Sequence, residues 1–201
     1  MSSIPQKIMK RVKSKDRGWV FTAHDFTDFS TRKNLNAALC RLSKNGDIRR
    51  IARGFYDYPE THDEMGVLAP SLKGIAQAVV RQTGDRLTHS GATAANMLGL
   101  TTQVQGKIIF TTTGKARKIP VQDKYIRLVP SLVPTSLLDW DDPVSMALQA
   151  LENIGQKRIT QKHIQKCAGY LSEKDKARIK KHLPDIKEDW LRDVARQLSE
   201  S

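Results

Sequence analysis

The sequence predicts an α+β fold, mainly helical, and three observations carry that expectation. Apolar residues recur at three- and four-residue spacing through most of the chain. Two stretches, 47–58 and 107–129, break that rhythm with β-branched and aromatic residues set around turn formers. With 201 residues and 39% hydrophobic content, the chain is long enough to bury the core of one domain or two small ones without disulfides.

The elements follow in order. Ile4, Ile8 and Val12 predict a first helix, with Pro5 suited to its first turn. Asp16-Arg17-Gly18 stops it, and Trp19-Val20-Phe21 reads as a short strand. Thr22 is placed to cap a brief helix over Ala23 to Phe26. Ser30 or Thr31 caps a longer helix to about Lys44, closed by Asn45-Gly46. Asp47 to Ile51 and Phe55 to Tyr58 flank Ala52-Arg53-Gly54 as a hairpin, which Pro59 ends.

Residues 61–70 read as a linker. Leu72, Ile75, Ala76, Val79 and Val80 then form a helical stripe ended by Gly84, and Ser90 caps a helix over about Ala92 to Leu98, stopped by Gly99. Lys107 to Thr113, Arg117 to Val121 and Tyr125 to Val129 predict a small antiparallel sheet on these helices, with Gly114-Lys115 as a hairpin turn. The rest reads as helical. One helix starts at Pro143 and ends at Gly155, Thr160 caps another through Tyr170, Ser172 with Asp175 begins a third, and Pro184 opens the last, through Trp190 and Leu198. The expected domains are 1–60, a linker 61–70, 71–135 with helices and sheet, and a helical region 136–201.

Charge narrows the function. Against 21 Asp and Glu stand 34 Lys and Arg, a net +13. That excess excludes an acidic solvating chain and makes a polyanion the first partner to test. Residues 1–60 hold 13 basic and 6 acidic side chains, whereas 121–201 hold 14 and 12. The excess is therefore concentrated at the front, and the balanced tail suits solvated helix faces. Two cysteines exclude a disulfide framework. Residues 1–15 lack the apolar run of a secretory signal, and the longest charge-free run, 87–106, is too polar for a membrane helix. A cytoplasmic protein that does not meet a membrane is expected.

On a helical wheel of residues 31–44, Leu35, Ala38, Leu39 and Leu42 fall on one side. Lys33, Asn36, Ala37, Arg41 and Lys44 lie opposite, with Asn34 at the flank, and no carboxylate interrupts them. Such a face suits the major groove of double-stranded DNA: Arg and Lys meet guanine or phosphate, Asn pairs with adenine, and Ala touches a thymine methyl. Thr31, Arg32 and Lys33 offer unpaired backbone N–H groups to a phosphate. Arg49, Arg50 and Arg53 on the hairpin are placed to meet the flanking backbone or minor groove. Three helices and a basic hairpin are the parts of a winged helix-turn-helix. Arg32 and Arg41 have a plainer use, as surface pairs with Asp28 or Asp47.

From Ile4 through Trp19-Val20-Phe21, the 31–44 helix and Gly46-Asp47-Ile48 to Arg53-Gly54-Phe55-Tyr56, the chain resembles the N-terminal domain of AbiE-type antitoxins. Ser90-Gly91-Ala92-Thr93-Ala94-Ala95 and Leu98-Gly99-Leu100-Thr101-Thr102-Gln103-Val104 extend the resemblance over roughly residues 1–130. It implies a DNA-binding antitoxin of a type IV toxin–antitoxin operon. Such a protein represses its own promoter at inverted repeats and counteracts a nucleotidyltransferase-like toxin. A dimer on DNA is expected even where the free protein is a monomer. The alternative is a protein- or RNA-binding module, or a general transcriptional regulator, with an incidental basic surface.

Other motifs point away from catalysis. Thr113-Gly114-Lys115 lacks the first glycine and the following hydroxyl of a phosphate loop, because positions 109 and 116 are Ile and Ala. His163 and Cys167 share a helical face but lack further zinc ligands, and His89-Ser90 has no acid placed beside it in sequence. No enzyme activity, metal or cofactor is expected.

Overall fold

Ser3 and Gln6 start the first helix by mutual capping: the Ser3 amide donates to Gln6 Oε1 at 2.8 Å. This helix, α1 (Ile4–Lys13), carries Pro5 in its first turn and buries Ile8 and Val12 completely. The computed structural model describes residues 3–103, 106–121 and 124–201. Contacts divide the chain into two units, Met1–Gly84 with Ile119–Tyr125, and Asp85–Lys118 with Ile126–Ser201.

In the first unit β1 (Val20–Phe21) leads into a 3₁₀ turn, Ala23–Phe26, capped by Thr22, whose hydroxyl accepts the His24 amide. Next comes α2 (Arg32–Lys44), which ends ahead of Gly46 at φ +81°, a conformation that side chains resist. β2 (Arg49–Ala52) and β3 (Phe55–Asp57) form a hairpin around Arg53-Gly54, and the sheet order is β1-β3-β2, all antiparallel. Phe21 and Phe26 meet edge-on at 5.6 Å in the core, where Leu35 and Leu39 of α2 are fully buried. That packing sets which side of α2 faces out.

Residues 61–70 hold more than a linker. β4 (Thr61–His62) and β5 (Gly66–Val67) pair as a small exposed hairpin. After it, α3 (Leu72–Thr83) is capped by Ser71 and ended by Gly84 at φ +72°. Arg81 of α3 bonds Asp25 and the Val20 carbonyl at 2.9 and 2.7 Å, so the helix groups with the first unit.

The four-stranded sheet departs from the expected one. Its strands are β6 (Leu87–His89), β7 (Ile108–Thr112), β8 (Arg117–Val121) and β9 (Lys124–Pro130), in the order β6-β7-β9-β8. β6 is not among the strands the sequence predicts. It runs antiparallel to β7, but β7 and β9 are parallel, with Ile108 opposite Ile126, so the sheet is mixed rather than antiparallel. The predicted Gly114-Lys115 hairpin is not formed either, because β6 and β9 occupy the two edges of β7. The chain leaving β7 is tied back to Arg86: the Thr113 amide donates to the Arg86 carbonyl, and the Arg86 amide to the Thr113 hydroxyl at 2.8 Å. A Cβ at Gly114 would meet the Asp85 carboxylate, so a side chain there requires Asp85 to swing aside.

Between β6 and β7 lies α4 (Gly91–Met97), capped by Ser90. After β9 come α5 (Pro143–Ile154), α6 (Gln161–Ala168), α7 (Glu173–His182) and α8 (Asp189–Glu200). Asp142 caps α5 by accepting the Ser145 amide at 2.8 Å. Pro184 does not open the last helix; it sits in a 3₁₀ turn, Leu183–Asp185, after which fully buried Ile186 holds the chain extended until α8 begins. The core of the second unit gathers Leu148, Leu151, Ile179, Leu191 and Leu198, all with no exposed surface. No described helix is long and apolar enough to cross a membrane.

α4 and α5 approach through Gly91, where an added Cβ would stand 2.5 Å from the Gln149 carbonyl and 2.7 Å from Asn153 Cβ. Overfilling a packed contact costs about 1–3 kcal/mol. Gly91→Ala is therefore expected to lower stability by about 2 kcal/mol, read as a drop in denaturant midpoint at unchanged slope.

Candidate nucleic-acid interface

Burying Leu35, Ala38, Leu39 and Leu42 leaves Thr31, Arg32, Lys33, Asn34, Asn36, Ala37, Arg41 and Lys44 exposed. Position 40 is also exposed, so Cys40 joins this surface. The Thr31 side chain makes no cap bond, and the first helix-closing bond is from the Leu35 amide to the Thr31 carbonyl. The backbone N–H groups of Arg32, Lys33 and Asn34 thus have no acceptor within the helix. Asn34 is partly engaged, its amide donating to Ser30 Oγ at 3.3 Å.

The fold sorts the basic residues of this unit into two groups. Arg11 forks onto both oxygens of Asp28, bonds the Asp25 carbonyl at 2.7 Å and stacks over Phe29 at 4.0 Å. Hydrogen bonding from Arg11 holds the Asp28 carboxyl below the usual carboxylate range. Asp28 is therefore committed elsewhere and does not neutralise Arg32. Arg17 bonds the Pro59 carbonyl and stacks over Tyr58. Arg49 is turned inward, contrary to its expected place on the outside of the hairpin. It donates Nε and Nη2 to the two oxygens of fully buried Asp57, and Nη1 to the Leu68 carbonyl at 2.9 Å. Its donors serve the fold.

Arg32, Lys33, Arg41, Lys44, Arg50 and Arg53 make no hydrogen bond or ion pair with the described residues. The expected pairs of Arg32 and Arg41 with Asp28 or Asp47 are thus not formed. Arg53 stands at the hairpin tip beside Gly54, whose φ of +82° lets the two strands turn sharply.

Between α2 and the hairpin runs an open groove of about 680 Å³. Arg32, Asn36 and Cys40 line it from α2, Arg50, Arg53 and Tyr56 from the hairpin, and His24 and Thr27 from the 3₁₀ turn and the residue that closes it. No lining residue is a carboxylate. Burial pushes the Tyr56 phenol above its ordinary range, with Arg50 opposing the shift, so the hydroxyl stays neutral at the groove wall. Lys33, Ala37, Arg41 and Lys44 are not among the groove residues and form the outward part of the helix face. His24, Thr27, Tyr56 and Gln82 were not read from sequence as site residues. The cap at Thr22 was the local sign that His24 begins a turn beside α2.

Elsewhere the structure settles smaller points. Arg117 approaches Asp85 at 3.9 Å, so the basic cluster of Lys115, Arg117 and Lys118 is partly compensated. His89 does have an acid partner, Asp141 Oδ1 at 2.8 Å, supplied from a distant part of the chain, and its ring packs on Trp140 at 4.2 Å. Ser90 bonds Thr93 and caps α4. Burial raises the Cys167 thiol to about 12, which keeps it protonated and inert. Among the described residues, no group of three or more His, Cys, Asp or Glu side chains could hold a metal ion.

Residues 7–179 match the model of a family of unknown function, DUF6088, and the chain belongs to that family. No curated protein and no solved structure matches the chain.

Proposed function

We propose that the first unit is a winged helix-turn-helix that binds double-stranded DNA in a sequence-specific way. In this reading α2 enters the major groove and the β2–β3 hairpin is the wing. One observation carries it: six unpaired cations gather on a carboxylate-free surface formed by α2 and the hairpin. A sugar-phosphate strand lying in the groove meets Arg32, Arg50 and Arg53, which supply charge-assisted, sequence-independent affinity. Lys33, Asn36, Ala37 and Arg41 supply the preference for particular base edges. Arg49 is left out of the contact set.

Resemblance to AbiE-type antitoxins extends the proposal to the operon. The protein acts as antitoxin and autorepressor, bound as two copies to inverted repeats in its own promoter, and it counteracts a nucleotidyltransferase-like toxin. No catalytic role, metal or cofactor is assigned.

The test is a gel-shift titration of the full chain on the DNA upstream of its own reading frame, across a range of salt. Affinity is expected to fall steeply with salt. Arg50→Ala and Arg53→Ala should each weaken specific and nonspecific duplexes alike and reduce the log–log slope by about one. A shallow slope, unaltered in both variants, contradicts the reading.

A further inference from the structure

The second unit contains a groove of about 830 Å³ that the DNA reading leaves unused. Its size falls within the roughly 300–1,000 Å³ typical of small-molecule sites. Ala92 and Ala95 of α4 lie along it, with Leu100 and Ile154 as further apolar walls. Arg158 and His163 also line it, and no lining residue is acidic.

Arg158 and His163 are both tied to the backbone. Arg158 anchors Nε on the Ile154 carbonyl at 2.8 Å, at the end of α5, and keeps Nη1 uncommitted among its hydrogen bonds. His163 accepts the Thr160 amide at Nδ1, 3.2 Å away, as the third residue of α6. A neutral imidazole that accepts at Nδ1 carries its proton on Nε2. In that tautomer the ring presents Nε2–H as a donor.

The geometry points to a binding site for a small organic carboxylate in this groove, with the anionic head on Arg158 and His163 Nε2 and an apolar body against Ala92, Ala95, Leu100 and Ile154. The site is independent of the DNA reading, since none of its residues belongs to the first unit. The Arg158 guanidinium, with the imidazole N–H as a second donor, selects the anion, and the apolar walls select against inorganic ions.

The test uses the full chain in an NMR titration with benzoate, against benzamide as its neutral counterpart. Benzoate is expected to give saturable shifts at Ala92, Ala95, Leu100 and His163, with an affinity at least about ten-fold above that of benzamide. His163→Glu separates binding from folding. Glutamate three residues after Thr160 preserves the capping box, so the variant should melt no lower than the parent, yet its carboxylate repels the ligand. Benzoate shifts should vanish in His163→Glu and weaken at least about ten-fold in Arg158→Gln. Absence of saturable shifts, equal binding of benzamide, or undiminished benzoate binding in His163→Glu overturns the proposal.

Discussion

A Lys33→Ala, Asn36→Ala, Arg41→Ala triple variant is expected to lose operator affinity by about 100-fold or more at fixed salt, while its melting temperature stays close to that of the parent. All three side chains are exposed on α2, away from the leucine stripe, so their removal leaves the core intact. Exposed substitutions of this kind change stability by about 0.5 kcal/mol or less. A base-edge contact is worth about 1–3 kcal/mol, and separated contacts add roughly, so losing three gives the stated factor even at the low end. The loss should be concentrated in specific binding. Affinity for an unrelated duplex should fall much less, because Arg32, Arg50 and Arg53 remain to hold phosphates. Gel shift on both duplexes, alongside a thermal melt, reads all of this at once.

Arg49→Ala is expected to act in the opposite way, through stability. Asp57 has no exposed surface, and the Arg49 fork supplies both of its charge-assisted hydrogen bonds. Taking the cation away leaves a buried carboxylate uncompensated. Breaking such a pair costs about 3–5 kcal/mol, and the low end applies because the Arg49 side chain is 29% exposed and water can partly replace it. The Leu68 carbonyl loses its donor too, which loosens the segment that follows the hairpin. A denaturant melt should show a loss of about 3 kcal/mol. Arg49→Met combined with Asp57→Leu should recover most of it, since paired apolar replacements of a buried ion pair are often neutral or better. An Arg49→Ala protein as stable as the parent would mean that water satisfies Asp57 unaided.

Arg49 and Arg50, adjacent in sequence and opposite in placement, mark the limit of what the residues alone disclose. Strand residues alternate between faces, so Arg49 and Arg50 could not both face a duplex. The acid that draws Arg49 inward, Asp57, lies directly across the hairpin from it. Cross-strand charge pairing is what separates them. By contrast, α2 and its inward leucines were legible, as were α1, α4 and the caps at Thr22, Ser90 and Ser172. Helical spacing and capping are local, written within four residues of one another. The four-stranded sheet was not. Its parallel β7–β9 pairing joins residues 18 apart in sequence, such as Ile108 and Ile126, and local patterns of apolar residues carry no strand order. β6 is only three residues long, too short for alternation to register. His89 gained its acid from position 141 for the same reason: distant partners are brought together by topology.

The central claim is that one face of the molecule, α2 with the β2–β3 hairpin, meets duplex DNA. Hydrogen–deuterium exchange of the full chain, with and without a duplex from its own promoter, tests that claim most directly. Slower exchange is predicted across 31–44 and 49–56 on adding DNA, greatest at the unpaired amides of Arg32, Lys33 and Asn34. DNA-dependent protection confined to residues outside those two segments, or none at saturating duplex, would contradict it.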